Sequence, residues 1–421
     1  MSSAKIKIWN HTVGYLYWDD PNQTVLFEPD TEYLSSIINI APIIHSNKKE
    51  GLTGSDYPRQ FNGMIPTFND SLPDSFGNIV FREWLEQMKM DQSEMNPVER
   101  LLYIGCRGIG ALEYETGKDF ANTLKNIDLN ELADISNKIL QRKYDQEDFL
   151  DDPEALTNIL TIGSSVGGAQ AKILTAQTED NRLLAGDFVH DQPVDYYIVK
   201  LEHDPQNRWY KEKNYVEFVY NEIARDIGIN VADSKLLFEG GRAHFASKRF
   251  DRVENNKLHQ QTVNALTGFW GKSLEFGYRD IFRIIEYLKL PASNSEQLFM
   301  QMVFNVAMSN RDDHTKNFSF LMNDNGEWSL SPAYDLTFPR DPYEAIGAAH
   351  QIHINGKTRE ILRDDIVAVA NVAGVRNYNQ LIDRVLDHAT TFKDRINNYP
   401  VASNTTKRIV REINDNLYRL K

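Results

Sequence analysis

Asn310-Arg311-Asp312-Asp313-His314-Thr315-Lys316-Asn317-Phe318 is the stretch on which the reading of this chain turns. Before it, Leu298, Phe299, Met302, Val303, Phe304 and Val306 recur at helical spacing in a nearly all-apolar run. Ser293 and Glu296 stand ahead of that run at capping-box spacing, so the pattern predicts a buried helix with a capped start. After it, Phe318-Ser319-Phe320-Leu321 and Trp328-Ser329-Leu330 flank Asn323-Asp324-Asn325-Gly326, a hairpin signal. A buried helix therefore runs into a polar loop, and the loop into a hairpin.

Within that loop, Arg311, Asp312 and Asn317 keep the Arg-Asp-x-x-x-x-Asn part of a protein-kinase catalytic loop, with Asn310 in place of its histidine. An aspartate so placed orients an attacking hydroxyl and accepts its proton, and the asparagine oxygen ligates magnesium. Asp312-Asp313-His314 also permits a small metal site. Carboxylate-plus-imidazole ligation usually recruits another histidine, however, and none follows until His350. At the hairpin exit, Ser331-Pro332-Ala333-Tyr334-Asp335-Leu336 puts an aspartate eighteen positions beyond Asn317. That is where the second magnesium ligand of a kinase is expected, although Leu336-Thr337 replaces Phe-Gly.

Upstream lie the groups that could hold phosphate. Gly163-Ser164-Ser165-Val166-Gly167-Gly168-Ala169-Gln170-Ala171-Lys172 is a small-residue loop leading into Ile173-Leu174-Thr175. Its first and last glycines have Walker A spacing, but Ala169-Gln170 replaces the required Lys-Ser/Thr. Bare backbone N–H groups in such a loop suit phosphate oxygens, but taken alone the signal is weak and the residues read first as a plain tight turn. Tyr196-Tyr197-Ile198-Val199-Lys200 reads as a strand delivering an ammonium group. Glu222, on a helix marked by Val216, Val219, Tyr220, Ile223 and Ile227, is a partner for that lysine, and Glu217 competes for the role.

The rest of the chain sets bounds. Its 421 residues are 41% hydrophobic and 25% charged, a globular composition with room for more than one core. A formal net charge of −14 argues against an overall surface that grips nucleic acid. One cysteine, Cys106, excludes an internal disulfide and a multi-thiolate metal site. No apolar run approaches the roughly 20 residues of a membrane helix, so the expectation is a soluble, cytoplasmic protein without membrane contact. Lys5 to Trp9, Tyr15 to Trp18 and Val25 to Phe27 alternate as strands, and helical spacing returns at Phe81 to Met88 and Val98 to Ile104. Six acids fall between Asp145 and Glu154, which reads as a solvated connector. The expected organisation is a β-rich part over 1–118, a helical and acidic connector over 119–150, a small lobe over 151–252 and a helical lobe over 253–421.

Taken together these residues resemble the HipA family of bacterial serine/threonine kinases, the toxin half of HipBA-type toxin–antitoxin systems. The segments that carry the resemblance are 165–172, Tyr197 to Lys200, Asn221-Glu222, Lys248-Arg249-Phe250-Asp251-Arg252, Asn310 to Phe318 and Ser331 to Asp335. It implies an α+β, two-lobed protein-kinase-like fold with a β-rich N-terminal subdomain and a mostly helical C-terminal lobe. Asp312 would be the catalytic aspartate, with Asn317 and Asp335 the Mg²⁺ ligands. Gly167, Gly168, Ala169, Gln170, Ala171 and Lys172 would form the phosphate loop and Lys200 would contact ATP phosphates. Lys248, Arg249 and Phe250 would meet adenine largely through backbone groups, and His314 would also belong to the nucleotide site. Ser165 aligns with the family's autophosphorylated serine. Ala171 stands where proline is common, and Lys248 where some members are acidic; neither change touches the base or the metal positions. The resemblance implies a HipB-like DNA-binding antitoxin as partner, contact with DNA only through it, and a substrate in the translation machinery such as an aminoacyl-tRNA synthetase. A kinase of small molecules or lipid head groups and a non-catalytic antitoxin-docking regulator are the alternatives.

Overall fold

The computed structural model describes residues 2–44, 48–57, 60–73, 75–87, 95–115, 127–142, 170–204, 206–269, 275–341 and 349–421. Two compact units emerge: Met1–Asp204 with Leu237–Gly268 and Leu321–Glu327, and Pro205–Leu236 with Phe269–Phe320 and Trp328–Lys421. Among the described residues no helix is long and apolar enough to cross a membrane.

The first unit begins with β1 (Ser3–Ile8), β2 (His11–Asp19) and β3 (Thr24–Pro29), the strands that alternation predicts. Ala4, Ile6 and Ile8 are buried while Lys5 and Lys7 face outward, so the period of two fixes which face meets the core. With β4 (Thr53–Gly54) and β5 (Leu112–Glu115) they form an antiparallel sheet in the order β4-β3-β2-β1-β5. Gly14, at φ +153°, is required there, because a Cβ would collide with the Glu28 carbonyl oxygen of the neighbouring strand. Helix α1 (Pro97–Ile104) starts on a capping box: Glu99 N–H donates to Asn96 Oδ1 (3.1 Å) and Asn96 N–H to Glu99 Oε2 (3.0 Å).

A second sheet follows in the order β7-β6-β8-β10-β9, from β6 (Lys172–Gln177), β7 (Leu183–Ala185), β8 (Asp195–Lys200), β9 (Ser234–Glu239) and β10 (Arg242–Lys248). Ile173, Tyr197, Val199 and Ala246 on one face pack against Leu132, Ala133, Ile135 and Ile139 of α2 (Leu129–Arg142) and against Phe76, Val80, Phe81 and Leu85. Residues of even number in β6 and β8 therefore turn to the other face. Behind the sheet Asp251 is buried between two arginines, accepting from Arg249 Nη2 (2.7 Å), Arg252 Nη1 (2.7 Å) and the Gly110 N–H (2.7 Å). Burial pushes its pKa up, yet the two guanidiniums hold it well below the usual carboxylate range.

Two histidines of this unit are buried neutral. His259 donates through Nε2 to the Ile40 carbonyl (3.1 Å), and burial lowers its pKa to about 4. His244, also lowered to about 4 by burial and by Arg242, accepts the Glu202 N–H through Nδ1 (3.2 Å). A base depressed in the folded state stabilises fully above its unfolded pKa of about 6.5, and that contribution is lost as the pH falls toward 4. Each is worth up to roughly 3 kcal/mol. The thermal midpoint should therefore drop between pH 6.5 and 4, and less steeply in His259→Asn. An unchanged slope in that variant would contradict the assignment.

The second unit is helical: α3 (Arg208–Ile227), α4 (Tyr278–Tyr287), α5 (Ala292–Ala307), α6 (Arg363–Ala373), α7 (Tyr378–Ala389), α8 (Phe392–Ile396) and α9 (Ser403–Leu420). From Leu298 to Ala307 every residue of α5 is buried, which makes it the central helix of the unit, as its apolar run predicts. Its start differs from expectation. Pro291 at φ −55° is the N-cap and makes no side-chain cap, so Ser293 already lies inside the first turn and the Ser293–Glu296 box does not form. The hairpin strands Ser319–Met322 and Trp328–Leu330 are joined by a turn in which Gly326 (φ +76°) donates to the Asn323 carbonyl (3.0 Å). The tip of this hairpin, Leu321–Glu327, belongs to the first unit.

Candidate active site

The loop after α5 is held at its entrance by its own backbone. Asn310 N–H returns to the Asn305 carbonyl (2.9 Å) and Ser309 takes φ +58°, so the helix closes with a left-handed residue as a Schellman end does, here without glycine. Asn416 of α9 donates to the Val306 carbonyl and to Ser309 Oγ, each at 2.8 Å. Tyr220 of α3 donates to the Met308 carbonyl (2.7 Å). The Asn305, Val306 and Met308 carbonyls are thus satisfied, and the point where the loop departs is fixed by two other helices.

The two consecutive aspartates then diverge. Asp312 is half-exposed, 48% by side chain, and its carbonyl accepts from Asn317 Nδ2 (2.8 Å). Asp313 is fully buried and accepts from Tyr278 OH (2.9 Å), His350 Nδ1 (2.8 Å) and the Gln351 N–H (2.8 Å). His314 caps the turn Thr315–Asn317, taking the Lys316 N–H on Nδ1 (3.2 Å), while its Nε2 stands 3.9 Å from Asp312 Oδ1. A metal site on Asp312-Asp313-His314 is therefore ruled out, since Asp313 faces the core. Among the described residues no group of three His, Cys, Asp or Glu side chains is arranged to hold an ion.

Tyr334 ties the loop to the segment beyond the hairpin. Its hydroxyl donates to the Lys316 carbonyl and meets Ser319 Oγ, both at 2.6 Å. Ala333 N–H donates to the Asn230 carbonyl (2.7 Å). Asp335 follows at φ +57°, a left-handed backbone uncommon outside glycine and found where surrounding structure enforces it. The donor set suits Mg²⁺. Asp335 carries a carboxylate, and Asn317, whose Nδ2 is engaged by the Asp312 carbonyl, is left to present Oδ1. Hard oxygen donors of this kind are what that ion takes.

Glu217 and Glu222 of α3 point different ways. Asn221 donates to the Leu336 carbonyl (3.5 Å), next to Asp335, and to the Glu217 carbonyl one turn back (2.8 Å). Glu217 is buried on that side of the helix. Glu222, half-buried, has its pKa raised by burial, with Arg395 opposing, and lies beside Tyr399 and Asp226. The helix face that reaches the Asp335 segment thus carries Glu217.

In the first unit, Lys172 and Lys200 are cross-strand partners in the β6–β8 register, each only 8% exposed. Lys200 Nζ also lies 5.9 Å from the centroid of the Phe245 ring. Gln170 and Ala171 lead into β6, whereas Ser165, Gly167, Gly168 and Ala169 lie outside the described residues. Lys248 pairs with Asp195 (2.7 Å). The Arg249 guanidinium is held by Asp251 and the Gly186 carbonyl (2.9 Å), and its N–H by the Tyr196 carbonyl (2.8 Å). Its side chain and its N–H are thus both engaged within the fold. Tyr278 and His350 were not legible as site residues, because the Asp313 they hold lies 35 and 37 residues away in sequence.

The sheets of the first unit and the helices of the second make an α+β architecture. The chain belongs to the HipA family: the HipA-like C-terminal domain matches residues 164–412 and the HipA N-terminal domain residues 4–115. A Haemophilus influenzae protein named "Putative kinase" is 23% identical over 264 residues, 56% of this chain and 74% of that protein. "Putative kinase Y4dM" of Sinorhizobium fredii is 31% identical over 134 residues, 28% of this chain and about a third (32%) of its own length. The structure of Shewanella oneidensis HipA, solved with HipB and operator DNA, superposes with a TM-score of 0.67 at 16% identity, covering 99% of this chain and 96% of that one. At that identity the likeness is one of fold.

Proposed function

We propose that this chain is a HipA-type toxin kinase that transfers the γ-phosphoryl of ATP to a serine or threonine hydroxyl of a protein. The observation that carries this reading is the separation of Asp312 from Asp313. One carboxylate is turned out beside an asparagine with its amide locked, and its neighbour is anchored in the core. In the transfer, the acceptor oxygen forms a bond to the γ-phosphorus as the bond to the β–γ bridging oxygen breaks, releasing ADP. The hydroxyl proton passes to the Asp312 carboxylate. Mg²⁺, held by Asn317 and Asp335, would neutralise charge on the phosphate oxygens. Lys172 and Lys200, with the backbone of residues 167–171, take the phosphates.

Between Glu217 and Glu222 of α3 we take Glu217 as the partner for the phosphate-binding lysine, since it is the one on the helix face that reaches Leu336. Glu217→Gln should raise KM for ATP several-fold and Glu222→Gln leave it unchanged. The reverse result would restore Glu222. A HipB-like antitoxin is the proposed partner, supported by family membership and by the fold shared with a HipA crystallised with one. At −14 the chain would reach DNA through that basic intermediary. The proposed substrate is a translation component, and the chain's own Ser165 a second acceptor. Incubating the purified chain with Mg·ATP and mapping phosphate by mass spectrometry tests the kinase reading. Phosphate on Ser165 in the wild type, and none in Ser165→Ala at that site or in Asp312→Ala, is expected. A wild-type chain that neither gains phosphate nor labels any other protein contradicts it.

A further inference from the structure

Resting on the reading of Asp312 as the catalytic aspartate, we infer that Asp313 and His350 are positioning residues for it, acting through a buried hydrogen-bond relay that also fixes the entrance of the loop. The relay runs in one direction. Asn310 Nδ2 donates to Asn305 Oδ1 (3.0 Å), Asn305 Nδ2 to Tyr278 OH (3.0 Å), and Tyr278 OH to Asp313 Oδ2 (2.9 Å). Burial and the neighbouring Asp313 keep the Tyr278 hydroxyl protonated, hence a donor. From the far side His350 Nδ1 donates to the same carboxylate oxygen (2.8 Å) and the Gln351 N–H to the other (2.8 Å). The His350 N–H is itself held by the Thr358 carbonyl (2.9 Å).

Asp313 is the next residue after Asp312, so whatever fixes its side chain fixes the peptide that carries the catalytic carboxylate. Three donors from two separate segments, α4 and residues 350–351, converge on it, and all of them are buried. Chains of hydrogen bonds strengthen along their length, and a buried network of this kind specifies one geometry. Asn310, which stands where the related loop has histidine, finds its role here as the first donor of the relay. A displacement of about 1 Å in a catalytic group costs on the order of 100-fold in rate, so the tether acts on turnover while it touches neither nucleotide nor acceptor.

The test uses the full chain and pairs a deletion with a rescue. His350→Ala removes the donor, whereas His350→Asn returns an amide N–H near the position of Nδ1. At a temperature where all forms are folded, His350→Ala should lower kcat by about 10- to 100-fold with KM for ATP within about twofold, and His350→Asn should recover most of the loss. Tyr278→Phe, which removes a single hydroxyl, should fall in the same direction and stands in if His350→Ala does not fold. Amide hydrogen exchange of residues 310–317 should quicken in the deletion variants and return in His350→Asn. A folded deletion variant with wild-type kcat, or a loss that asparagine does not rescue, overturns the inference. So does unchanged exchange in the loop. A wild-type chain with no transfer activity overturns the kinase reading instead, and the exchange measurement still decides whether the relay holds the loop.

Discussion

Asp312→Ala is expected to lower phosphoryl transfer by about 10²–10⁴-fold while the chain remains folded. The side chain is half-exposed, and the bond that shapes the loop, Asn317 Nδ2 to residue 312, goes to the backbone carbonyl. An alanine keeps that carbonyl, so stability should stay within about 0.5 kcal/mol of the wild type. Asp313→Ala offers the contrast. It strands the Tyr278 hydroxyl, the His350 ring N–H and the Gln351 N–H in the interior, a loss of roughly 3–5 kcal/mol. Rates and thermal midpoints of the two variants, measured side by side, check both halves. If Asp312→Ala unfolds and Asp313→Ala does not, the roles of the two carboxylates have been exchanged.

Asp335→Asn should be as damaging to transfer, and by a different route. At φ +57° the position tolerates asparagine better than other non-glycine residues, so the substitution removes a charge without adding backbone strain. Asp335→Ala would add about 1 kcal/mol or more of that strain and blur the result. With one of two proposed oxygen ligands weakened, Mg²⁺ should be needed at much higher concentration, and the rate at saturating ATP should fall by at least about 100-fold. A magnesium titration of transfer, together with calorimetry of Mg·ATP binding, reads this directly. An Asp335→Asn chain with the wild-type magnesium dependence would remove Asp335 from the site.

Much of the local architecture was legible from residue pattern. Alternation at Ala4, Ile6 and Ile8 sets the first strand, and the apolar run from Leu298 to Val306 could only be a helix buried all round. The polar loop and Asn-Asp-Asn-Gly turn followed from residue types whose backbone preferences are local. What pattern could not supply was direction. Asp312 and Asp313 are adjacent and chemically alike, and they are told apart only by Tyr278 and His350, which lie 35 and 37 residues away along the chain. Glu217 and Glu222 are five residues apart, about 140° around a helix, and the side that matters is set by Asn221 meeting Leu336. Lys172 and Lys200 each stood out in the sequence, but their pairing depends on the register of β6 on β8. The capping box at Ser293 failed because Pro291, with its fixed φ, begins the helix earlier.

The most direct test of the central claim is transfer from γ-labelled ATP into a cell lysate by the wild-type chain, Asp312→Ala and Asp335→Asn. Label in discrete protein bands with the wild type, lost in both variants, is the predicted result. Label confined to small metabolites, or equal labelling by all three chains, would contradict the assignment of Asp312, Asn317 and Asp335 as the centre of a protein kinase.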